Sequence, residues 1–161
     1  MVLNWLKGLI PEPVTRHNDE IIDLTLPGKW RTDHEENHLD FVSDASGEQV
    51  TLNALLTRDR LDQPALLVTV LNLVAVRQKA FRDLSGPGVQ FSEIETQYVE
   101  EGVEVAFTFA DTAFPVQGRV TIIGRAGHVV TFSYNKYKPI PSTATFLGRS
   151  AELRSGLRVK G

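Results

Sequence analysis

Residues 65–76 read Ala-Leu-Leu-Val-Thr-Val-Leu-Asn-Leu-Val-Ala-Val, ten apolar side chains in twelve. The flanks make this run a helix. Asp62 stands where a carboxylate accepts from the free N–H groups of a first helical turn, and Pro64 lacks only a donor that this turn does not use. Downstream, Ser85-Gly86-Pro87-Gly88 cannot comfortably continue a helix. The spacing therefore predicts one long helix over 62–84. Its second half is expected to be amphipathic, with Ala80, Phe81 and Leu84 inward and Arg77, Lys79 and Arg82 outward.

On both sides the period drops to two. Ile22, Leu24 and Leu26, then Leu39 and Phe41, then Val50 and Leu52 alternate with polar residues before the helix. Val103, Val105, Phe107 and Phe109, then Val120 and Ile122, then Val130, Phe132 and Tyr134 do so after it. Strands are expected near 21–26, in a hairpin of 39–43 and 48–56 around Asp44-Ala45-Ser46-Gly47, and near 89–99, 103–110, 116–124 and 128–134. Ser142 can cap a last helix carrying Phe146, Leu147 and Leu153. A helix between two blocks of antiparallel hairpins is a layered α+β domain. The expectation is a single antiparallel sheet of about six or seven strands, flanked by the long central helix and a C-terminal one. In 103–109 the valines and phenylalanines share a face, which a covering helix would explain.

At 161 residues the chain has the length of one domain, enough to bury roughly 70% of the surface its unfolded form exposes. With no cysteine, disulfides, thiolate metal sites and cysteine nucleophiles are excluded. Residues 1–19 read as an N-terminal arm, a short amphipathic helix (Leu3, Leu6, Leu9, Ile10) ended by Pro11 and Pro13, followed by a polar linker; 20–161 form the α+β domain. The arm is too short for a secretory leader, and the central run falls short of the ~20 apolar residues a bilayer span needs. A cytoplasmic protein with no stable membrane insertion is expected.

Charge is uneven. From Arg119 onward eight bases accompany one acid, Glu152, whereas the first 118 residues hold 19 acids against 9 bases. Two readings fit: an anion-binding or acidic-partner surface, or two regions that face each other through strand pairing and partly cancel. Nucleic acid is not the expected partner, because the chain is acidic overall and its bases are not interleaved with exposed-looking aromatics.

His34-Glu35-Glu36-Asn37-His38 matches H-E-x-x-H, which on a helix would place two histidines around a zinc ion with the Glu as base. The flanks give no helix, however, and on a strand residues 34 and 38 would stand about 13 Å apart. A polar turn leading into a strand is expected instead, with zinc hydrolysis as a third-ranked function. Ser133, His128 and Asp111 lack a nucleophile elbow. Pro27-Gly28-Lys29-Trp30 lacks a phosphate-loop frame. Glu93, Glu95, Glu100, Glu101 and Glu104 read as the solvated face and tip of a hairpin.

Two features point to binding. Tyr134, Tyr137 and Lys138 stand in a proline-stiffened stretch, 134–141, read as a loop. The front half of the central helix (Leu66, Val70, Leu73, Val74 among others) is apolar almost all round, while one sheet face can bury only a stripe. The candidate partner-binding residues are therefore Leu66, Val70, Leu73, Val74, Tyr134, Tyr137 and Lys138. The expected partner is another protein's apolar segment or a second copy of the chain. A small-molecule or lipid carrier with a pocket between sheet and helices is the alternative.

The order of strand, Pro27-to-Trp30 turn, hairpin, long helix, four-strand meander and closing helix resembles the PsbP-like fold. Leu26-Pro27-Gly28-Lys29-Trp30, the Phe41 and Val50-to-Leu52 pattern, the helix and Gly102-Val103-Glu104-Val105-Ala106-Phe107 carry the resemblance over about 20–155. Within that fold the chain is similar to DcrB-like bacterial proteins, including adaptor chaperones of type VI secretion effectors. The resemblance implies no catalytic residue and no cofactor. It implies a non-enzymatic protein that holds a partner, as a secretion-effector adaptor or an immunity-type protein does.

Overall fold

The alternating segments do form strands, but in two sheets rather than one. The computed structural model describes residues 12–57 and 59–160; the expected helix over 1–10 lies outside them. Before the long helix come β1 (Val14–Asn18), β2 (Ile22–Pro27), β3 (Arg31–His34), β4 (Leu39–Ser43) and β5 (Glu48–Leu56). The helix, α1, spans Gln63–Ser85, one residue later at each end than expected, and the Asp62 side chain caps it by accepting from the Ala65 N–H at 3.0 Å. A single 3-10 turn, Gly86–Gly88, leads to β6 (Val89–Phe91), β7 (Glu95–Val99), β8 (Gly102–Asp111), β9 (Val116–Arg125) and β10 (His128–Tyr137). Helix α2 (Thr143–Ser155), capped by Ser142, and β11 (Leu157–Val159) close the described chain.

The larger sheet has eight strands in the order β3-β4-β5-β10-β9-β8-β6, with β7 also on β8; the smaller is β1-β2-β11. This corrects the single sheet of six or seven strands. The expected linker over 11–19 contains β1, which pairs with β2 in antiparallel register from Val14 opposite Pro27 to Asn18 opposite Asp23. The expected strand over 89–99 is interrupted at Ser92, whose side chain accepts from the Thr108 N–H at 2.8 Å, so β6 and β7 pair with separate parts of β8.

Alternation along β8 and β9 divides the core. Val103, Val105, Phe107, Phe109, Val120 and Ile122 face α1 and bury Leu66, Val70 and Val74 of that helix. On the opposite face Ile123, Val130, Phe132 and Tyr134 meet Phe146 and Leu153 of α2 and the Ile22, Leu24 and Leu26 row of β2. Each fully buried Val or Leu in these layers contributes about 1.5–3 kcal/mol of apolar transfer. A long helix on one face, with a short helix and a three-stranded sheet on the other, makes the three-layer arrangement.

Candidate functional site

Helix α1 meets the sheet along one line only. Gln63 Nε2 donates to the Val99 and Gly102 carbonyls at 2.9 and 3.0 Å, which fixes the first turn over the β7–β8 connection. Farther along, Gly124 leaves room for the helix: a Cβ there would stand 3.1 Å from Val70 Cγ2 and 3.4 Å from Leu66 Cδ2. Near the C-terminus the Phe81 ring stacks on Phe109 with centroids 4.3 Å apart. The other side of the helix has no cover among the described residues. Val68 is 59% exposed and Val76 63%, with Leu71 and Ala75 also exposed beside them.

Four candidate residues, Leu66, Val70, Val74 and Tyr134, are core rather than surface. Leu66, Val70 and Val74 are core because they lie on the line that faces the sheet, and Leu73 is half-buried at its margin. Tyr134 is also core. The 134–141 stretch is not all loop, since β10 continues to Tyr137, and strand alternation puts Tyr134 and Tyr137 on opposite faces. Tyr134 stacks on Phe146 with centroids 5.2 Å apart, whereas exposed Tyr137 sits beside Phe81 on the α1 side, and Lys138 is exposed. The structure thus separates the proposed loop surface into two. On the second half of α1 Phe81 points inward as expected, but Ala80 is exposed, Leu84 is 86% exposed, and Arg77 is half-buried.

The exposed residues Val68, Leu71 and Val76 were missed because uniform apolarity conceals which side of the helix faces out. The available signal was Asn72 and Lys79, which stand on one helical line with Val68 and Ala75. By length and composition α1 could also cross a membrane; in this fold its inner line is packed on the sheet.

Charge cancellation is visible in the ion pairs. Arg119–Glu95, Arg149–Glu48, Arg154–Glu104 and Arg158–Asp23 each join the basic third of the chain to its acidic body. Between β7 and α2 two of these pairs border an open trough floored by Ala106, Thr121 and Ser150. The Glu48 pair is the most enclosed. Buried Glu48 accepts from Tyr134 Oη at 2.7 Å and from Arg149 Nε at 2.9 Å, joining β5, β10 and α2. Burial pushes the Glu48 carboxyl up, but the Arg149 and Tyr134 hydrogen bonds outweigh it and leave it below the ordinary glutamate range.

The H-E-x-x-H segment is a hairpin turn. His34 ends β3, Leu39 begins β4, and the Glu35 N–H donates to the His38 carbonyl at 3.0 Å. The helix a zinc peptidase needs is not formed. A cleft of about 310 Å³ opens beside this turn toward His17. His17 is engaged by Asp19 at 2.9 Å and His38 by Asp40 at 3.2 Å. Among the described residues no three His, Asp or Glu side chains converge as a metal site. Ser133, His128 and Asp111 are dispersed: His128 Nε2 lies 2.8 Å from the Lys160 carbonyl, while Asp111 is at the far end of β8, opposite Val116.

No protein-family model matches this chain, and no curated protein matches it in sequence. Solved structures do match in shape. The cyanobacterial PsbP protein CyanoP of Synechocystis superposes with a TM-score of 0.70 over 95% of this chain and 96% of its own, at 14% identity. LpqN of Mycobacterium tuberculosis, described as involved in cell envelope biogenesis, gives 0.51 over 99% and 97%, at 15% identity. A structure from Bacteroides thetaiotaomicron gives 0.51 at 11% identity over 87% of this chain, which spans only 45% of that one. The fold is PsbP-like.

Proposed function

We propose that this chain is a non-enzymatic protein-binding module whose partner lays an apolar segment on the outer face of α1. One observation carries the reading: a helix clamped to the sheet along one side presents Val68, Leu71, Ala75 and Val76 to solvent on the other. An exposed apolar row on a well-anchored element is a typical docking surface, because its burial is favourable and needs little ordering of the helix itself. An adaptor chaperone for a secretion effector, in a bacterial cytoplasm, and an immunity-type protein are the roles that fit such a surface. A homodimer would use the same face.

The test is a pull-down of the tagged protein from its native host, beside a Val68→Asp/Val76→Asp variant. A stoichiometric protein partner, lost by the variant at an unchanged melting temperature, is the expected result. Retention of that partner by the variant would remove α1 as the site. Recovery of the chain alone, at endogenous expression and low salt, would count against the binding module, and a small molecule retained in native mass spectrometry would then support a carrier.

A further inference from the structure

At the C-terminal end of α1 a cleft of about 200 Å³ opens between the helix and the ends of β8, β9 and β10. Phe81, Phe109, Phe114 and Tyr137 line it, and Phe114, on the turn after β8, is largely exposed. Asp111 forms part of the same wall, although only 6% of its surface is accessible. Its carboxylate is well hydrogen-bonded. The Ser85 hydroxyl stands near it, and Oδ1 accepts from the N–H groups of Ala113 at 2.9 Å and Phe114 at 3.3 Å. These bonds hold the carboxyl below the ordinary aspartate range, so it is ionised at neutral pH. It nevertheless forms no ion pair among the described residues, unlike Glu48, which meets Arg149. Asn135, also in the wall, adds an amide oxygen that is buried without a hydrogen-bond partner.

A buried negative charge beside aromatic side chains, with no counter-cation among the described residues, is an environment that attracts an organic cation. We propose that this cleft binds a quaternary ammonium group, with the rings against its methyl groups and Asp111 supplying the opposite charge. A carboxylate offers about four lone-pair sites, and two hydrogen bonds occupy Asp111, both at Oδ1. A primary ammonium brings three N–H donors and a quaternary one none, and the four aromatic residues of the lining favour the cation clad in methyl groups. Size agrees, since an apolar cavity of about 150 Å³ accepts benzene. The site is separate from the outer face of α1 and stands or falls independently of partner binding there.

Titration of the intact protein by NMR chemical-shift perturbation tests this with three probes: choline, ethanolamine, and the neutral isostere 3,3-dimethyl-1-butanol. Choline is expected to bind roughly tenfold tighter than the isostere, and tighter than ethanolamine. D111N keeps the oxygen that accepts from the turn and should abolish the preference for charge. F114A alters an exposed ring, should leave the melting temperature unchanged, and should weaken choline several-fold. Free choline that binds with no retention on phosphatidylcholine vesicles assigns the site to a soluble cation. Vesicle retention that choline displaces assigns it to a lipid headgroup. Equal affinity for choline and the isostere, or no choline binding at its highest usable concentration, would overturn the proposal.

Discussion

Replacing Arg149 by Met removes the cation that accompanies buried Glu48, and its effect should depend on pH in a particular direction. In the native protein the Arg149 side chain, 30% exposed, holds Glu48, whose own side chain is 7% exposed. Breaking a fully buried pair costs about 3–5 kcal/mol, and partial exposure of the arginine reduces this to roughly 2–3 kcal/mol. For a domain of this length that corresponds to about 4–12 °C in melting temperature. With its pKa lowered, native Glu48 contributes stability above the ordinary glutamate range, and loses it as pH falls through the lowered value. In R149M the balance reverses, because burial without a cation favours the neutral acid. The deficit of the variant should therefore be largest at pH 7 and shrink by about pH 4, as Glu48 takes up a proton. Urea melts followed by circular dichroism at both pH values measure it, and E48Q/R149M should recover much of the loss at neutral pH. A deficit equal at both would show that Glu48 is not the ionised partner of Arg149.

Two further substitutions test the packing. V70D places a carboxylate at a position with no solvent exposure, and at several kcal/mol against a typical total of about 5–15 kcal/mol it should leave the chain unfolded or nearly so by circular dichroism. G118A would set a Cβ 2.2 Å from the Phe109 ring and 2.6 Å from Asn135 Oδ1, so a lower urea midpoint worth about 1–3 kcal/mol is expected.

What the sequence made legible follows from the range over which each feature is decided. The limits of α1 are local, set by Asp62 and by the Ser85-Gly86-Pro87-Gly88 stop, and they came out within one residue. The β4–β5 hairpin was found with its exact strand ends for the same reason. Strands β1 and β3 were missed because Val-Thr-Arg-His-Asn and Arg-Thr-Asp-His show no apolar alternation; only their neighbours make them strands. The second sheet depends on β11, three residues within a basic tail, finding β2 far away in the sequence. The candidate site was harder still. Ten apolar residues in twelve carry too little contrast to separate the inner line from the outer, and Glu48 and Arg149 are 101 positions apart with no motif between them. Asp111 looks in sequence like any turn residue, and its aromatic surroundings arise from four separate elements.

The small sheet places a time constraint on synthesis. Strand β2 lies between β1 and β11, and Ile22 pairs with Val159 while Leu24 pairs with Leu157. A ribosome therefore exposes the Ile22, Leu24 and Leu26 row early but supplies one of its flanking strands only at the end of this stretch. Contacts of such sequence separation form late and slowly, and apolar edges waiting for them are open to wrong pairing. A nascent chain ending before Leu157 would carry α1 and nearly all of the larger sheet, yet display an unfinished edge. For this molecule, the edge of β2 is closed only once Leu157–Val159 has been made.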